Sequence, residues 1–88
     1  MNLEDRLSAL LRLADQLGIQ VRYEPMDGVG GGLCVLAKQR VLFVDTSAEL
    51  EVRYERILGE LAGLSELDEL YLVPEIREEI DAWRVGHT

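Results

Sequence analysis

At 88 residues, 48% of them apolar, the chain has room for one domain and is too apolar for a disordered segment. Its formal net charge of −8 comes from residues 45–88, which hold twelve acidic and four basic groups, against five and five in residues 1–44. A surface of that sign repels phosphate and excludes nucleic acid and anionic membranes as expected partners.

The first predicted element is a helix over residues 3–17. Leu3, Leu7, Leu10, Leu11, Ala14 and Leu17 fall on one face, Asn2 stands where a cap is needed, and Gly18 can close the end. Ile19 to Glu24 alternates apolar and polar residues, the pattern of a strand with one buried face. Pro25 to Gly32 reads as a flexible loop. Leu33–Ala37 and Val41–Val44 are apolar at successive positions. They predict two strands, covered on both faces and joined as a hairpin through Lys38-Gln39-Arg40. Thr46 and Glu49 have capping-box spacing ahead of a helix that buries Leu50, Tyr54, Ile57, Leu58 and Leu61 and stops near Gly63. Ser65–Leu70 reads as a short helical turn and Tyr71–Val73 as an extended link before proline. Pro74 opens a last helix that buries Ile76, Ile80 and Trp83. The expected architecture is a single α+β domain over residues 1–88, with an N-terminal helix, a three-stranded antiparallel meander, a long helix and a short C-terminal helix.

No set of residues in this order predicts a catalytic, cofactor-binding or metal site. Gly28–Gly32 invites comparison with phosphate-binding loops, but it lacks the third glycine of a dinucleotide loop and the Gly-Lys-Ser/Thr of a P-loop, and it leads into a strand rather than a helix. One histidine and one cysteine cannot supply a four-ligand nitrogen/sulfur zinc site within one chain. Glu75, Glu78 and Glu79 lack the spacing of a calcium loop. Cys34, among apolar neighbours, is expected to be buried and slow to react. The N-terminus carries acid where a signal peptide carries base, and no apolar stretch has the length of a membrane span, so a cytoplasmic location is expected.

Two segments stand out as contact surfaces. Gly30, Gly31 and Gly32 permit close backbone approach by a partner or ligand. Tyr71, Pro74 and Arg77 combine an aromatic, a rigid turn residue and a directional cation amid carboxylates, as binding anchors do. The bland alternative for the second segment has Tyr71 and Ile76 in the core and Arg77 paired with Glu78 or Asp81.

The frame Gly31-Gly32-Leu33-Cys34-Val35-Leu36, Val41-Leu42-Phe43-Val44-Asp45, then Tyr71-Leu72-Val73-Pro74-Glu75-Ile76-Arg77 resembles a family of small uncharacterised bacterial proteins over roughly residues 30–80. That resemblance implies a bacterial cytoplasmic protein and no activity. The layout is also similar, at fold level, to gluzincin-type zinc peptidases, which place a three-stranded sheet before a helix bearing His-Glu-x-x-His. The matching segment is Gly59-Glu60-Leu61-Ala62-Gly63. Glu60 stands at the general base and glycines stand at both metal ligands, so the likeness implies a relative without metal or catalysis.

The expected function is therefore a non-enzymatic interaction domain of adaptor, regulatory or chaperone-like kind. The apolar strands exceed what one thin core needs, so it is expected to form a homodimer or larger homo-oligomer, and another protein is a second kind of partner that fits. The alternative is a small enzyme or ligand-binding protein that uses carboxylates with Tyr71 and Arg77 near the glycine loop.

Overall fold

A computed structural model describes residues 1–87. The element order is α1 (Leu3–Gln16), β1 (Gln20–Glu24), β2 (Gly31–Leu36), β3 (Gln39–Asp45), α2 (Leu50–Ala62), a 3-10 turn (Ser65–Glu69) and α3 (Pro74–Gly86), an α+β fold. Asn2 caps α1 by accepting the Asp5 N–H at 2.8 Å. Gly18, at φ +75°, turns the chain out of the helix into β1. The buried stripe of α1 is Leu7, Ala9, Leu10, Leu13 and Ala14. Leu3, Leu11 and Leu17 lie at its margin, only partly covered.

The sheet is mixed, not an antiparallel meander. Its order is β1-β3-β2, with β3 parallel to β1 and antiparallel to β2. The composition of the strands explains the order. The centre of a sheet suits the strand most apolar on both faces, and Val41-Leu42-Phe43-Val44 fits better than a strand that opens on two glycines. The turn between β2 and β3 has two residues, Ala37 and Lys38, both at positive φ (51° and 68°), the geometry of a tight hairpin without its usual asparagine and glycine.

The register sorts side chains by face. Val21, Leu33, Leu42 and Val44 share the side that joins the core. Gln20, Arg22, Cys34, Leu36, Val41 and Phe43 share the other. α1 and α2 pack on the inner face, and α3 packs on α2 and α1 rather than on the sheet. No helix covers the outer face. The core gathers Leu10, Leu42, Ile57, Leu61, Ile76 and Ile80, all fully buried. Each such side chain contributes about 1.5–3 kcal/mol by leaving water.

Three further expectations are corrected. Cys34 is exposed, because it points to the uncovered face of an edge strand. The capping box does not form. α2 starts at Leu50 with Glu49 at its N-cap position and no side-chain cap, Asp45 draws Ser47 into a turn of its own, and Arg53 donates to the Thr46 and Ala48 carbonyls. The last helix is not short: α3, with proline in its first turn, has 13 residues, as many as α2. Among the described residues, no helix is long and apolar enough to cross a membrane.

Candidate functional site

The glycine loop is pinned rather than slack. Asp45, at the end of β3, is completely buried, and its carboxylate accepts from the Met26 N–H (2.8 Å), the Gly30 N–H (3.0 Å), the Ser47 N–H (2.9 Å) and the Ser47 hydroxyl (2.6 Å). Its own N–H donates to the Gly30 carbonyl. Burial alone would raise the Asp45 pKa, but the Ser47 hydroxyl and the three backbone donors outweigh it and hold the carboxyl well below the usual carboxylate range. Nothing in the residue order marks Asp45 out except its place between an apolar run and Thr46-Ser47, which we read as the start of a helix.

Gly30 and Gly31 serve close approach within the chain. A Cβ on Gly30 (φ +102°) would lie 2.9 Å from the Val52 carbonyl oxygen and from Arg56 Cβ. A Cβ on Gly31 (φ +152°) would lie 2.3 Å from the Phe43 carbonyl oxygen. Gly32 faces open space on the outer side, opposite Phe43. The Arg22 guanidinium stands 5.6 Å from the Phe43 ring centroid, a cation–π contact on that same face.

α2 reaches round the free edge of β2. Arg56 donates to the Gly31 carbonyl (3.1 Å) and Glu60 accepts the Leu33 N–H (3.0 Å). Glu60, the residue aligned with a peptidase base, is thus engaged with backbone and with Arg56 at 3.9 Å. Gly59, aligned with a histidine ligand, gives the Trp83 indole its seat, at 3.2–3.3 Å from where a Cβ would be. Trp83 stacks on His87 with ring centroids 3.9 Å apart. Among the described residues, no three His, Cys, Asp or Glu side chains gather as a metal-binding group.

The second predicted segment lies elsewhere. Tyr71 is 79% exposed, not core, because the link before Pro74 turns it outward. It borders a cleft of about 160 Å³ with Ala9, Arg12 and Leu13 of α1. Pro74 is the first residue of α3. Arg77 pairs with Asp68 at 3.7 Å rather than with Glu78 or Asp81. The hydrogen bond from Arg84 to Asp68 (2.7 Å) is the main reason that this carboxyl sits below its ordinary value. A larger open cleft of about 540 Å³ runs between α2 and α3, with Val29 of the glycine loop, Glu55 and Trp83 on its walls, and it shares no lining residue with the Tyr71 cleft.

Most cations of the chain are committed internally. Arg40 bonds the Leu17 carbonyl and Glu66, and Arg84 closes the end of α2 through the Ala62 and Leu64 carbonyls. Arg6 pairs with Glu79, which also accepts the Tyr54 hydroxyl; burial and that carboxylate push the phenol upward. Arg12 and Lys38 alone among the basic side chains have no partner among the described residues. No family model, curated protein or solved structure matches the chain.

Proposed function

We propose that the protein is a non-enzymatic interaction domain that works as a self-associated pair, in the cytoplasm, as an adaptor, regulatory or chaperone-like component. The observation that carries this reading is the exposed apolar end of the edge strand β2. With every helix on one side of the sheet, the β2–β3 hairpin leaves Cys34, Val35 and Leu36 exposed along an edge that no strand covers, beside a half-buried Phe43 that Arg22 overlies. Contiguous apolar surface of that kind usually marks an interface. The hairpin is also the stretch least opposed to self-contact by charge, since residues 28–44 contain Lys38 and Arg40 and no carboxylate. The internal commitment of the arginines and the acidic remainder favour protein over nucleic acid as any further partner.

Light scattering coupled to size exclusion, at tens of micromolar, tests the reading. The expected mass is twice the 9.9 kDa of one chain. A single-chain mass across the concentration range would overturn it.

A further inference from the structure

In an antiparallel pair, alternate residues of an edge strand turn both backbone groups away from their neighbour. On β2 these are Gly31, Leu33 and Val35, as the Arg56 and Glu60 contacts to Gly31 and Leu33 show. α2 therefore closes the half of the edge nearest the glycine loop. The Leu33 carbonyl and both groups of Val35 have no partner among the described residues, and neither has the Ala37 N–H in the turn beyond. Edge strands are ordinarily guarded by charge, proline or a bulge. This half carries Cys34, Val35 and Leu36, with Val35 68% and Leu36 46% exposed.

We propose that two copies of the chain pair antiparallel along this edge about a two-fold axis at Val35, joining two three-stranded sheets into one of six. The proposal rests on the self-association argued above and adds its surface and register. Val35 exchanges both backbone hydrogen bonds with Val35 of the second copy, and the Leu33 carbonyl accepts from the second copy's Ala37 N–H. These are the groups left open. A slide toward the glycine loop sets the incoming strand against Arg56 and Glu60, and a slide the other way runs off β2 at Leu36. Charge fits the same register. Lys38, unpaired in its own chain, falls opposite Gly32 of the second copy, one residue from the Leu33 N–H that Glu60 holds. Each copy thus brings a free cation to the other's α2 carboxylate.

Val35→Pro tests the pairing, because it removes an N–H that the chain itself does not use, at an edge position where proline is tolerated. A second probe is Cys34. In this register the two Cys34 Cα atoms lie on one sheet face about 8 Å apart, from the rise and spacing of paired strands, within reach of a short bis-maleimide. The wild type is expected at twice the single-chain mass and to crosslink through Cys34. Val35→Pro is expected at the single-chain mass, with unchanged circular dichroism and no crosslink. A Val35→Pro variant that stays dimeric and crosslinks overturns the edge pairing and leaves self-association standing through another surface. A wild type that stays at the single-chain mass overturns both, and leaves the edge to a strand from a different protein. If Val35→Pro does not fold, Val35→Lys is read by the same mass and crosslink.

Discussion

β2 and β3 are neighbours in one hairpin, both apolar in sequence, and they meet opposite fates. β3 has a strand on each side and helices beneath it, and Val41, Leu42, Val44 and Asp45 are all buried. β2 has one strand beside it, and its last three residues are exposed. Apolar character says that a strand prefers cover; the number of neighbours decides whether it receives any. β2 compensates at its first half, where Arg56 and Glu60 stand in for a missing strand, and not at its second.

The largest effect is expected where β2 meets the rest of the chain most closely. Gly31→Ala sets a methyl group against the Phe43 backbone at a φ that L residues rarely adopt. Strain and overpacking together are expected to cost roughly 2–6 kcal/mol, read as loss of the folded baseline or a much lower midpoint in urea. A wild-type midpoint would show that the strand shifts freely there. The contrast between the strands is sharpened by a pair of truncations on the same sheet face. Leu42→Ala, at a fully buried position of β3, is expected to cost about 2–5 kcal/mol; Val35→Ala, on the exposed end of β2, is expected within about 0.5 kcal/mol of wild type. Equal losses in urea melts would break the comparison.

The helices were legible because each carries its own signals: Asn2 before α1, proline at the start of α3, and stripes at helical spacing. The order of strands was not. A run such as Leu33–Ala37 is equally compatible with the centre and the edge of a sheet, and the choice depends on where the loop through Asp27, Gly28 and Gly30, all at positive φ, delivers the chain. Asp45-Thr46-Ser47 suits both a helix start and a turn, and only the loop's donors, some 15–19 residues upstream of Asp45, decide between them. The roles of Arg56 and Glu60 depend on tertiary neighbours that spacing along α2 does not reveal.

Asp45 extends the comparison to pH. Its folded pKa is below the ordinary 3.8. Above that value the group is ionised in both states and its contribution is complete. As pH falls, the unfolded chain takes the proton first, so stability drops through the folded pKa. Urea midpoints are expected to fall between about pH 5 and about pH 2, with a shallower fall in Asp45→Asn, which starts from a lower midpoint at neutral pH. An unchanged slope in the variant would mean that the loop is not held by this carboxylate.

The smallest effect on stability, and the most direct reading of the open face, belongs to Cys34. Its thiol lies on the outer side of β2, opposite Val41 in the ladder, with no helix above it. A thiol reagent therefore meets no packed layer. At low protein concentration the folded chain is expected to label at a rate close to that of the chain in denaturant, where a thiol sealed in the core would wait for unfolding. Pairing at the β2 edge brings Leu36 of the second copy beside Cys34 while leaving the face above it open, so labelling is expected to slow only modestly as concentration rises. A second copy stacked face to face on the sheet would instead bury the thiol and suppress labelling in the dimer. The concentration dependence of one rate thus separates pairing by edge from pairing by face, and slow labelling of the dilute monomer would show that the outer face is covered after all.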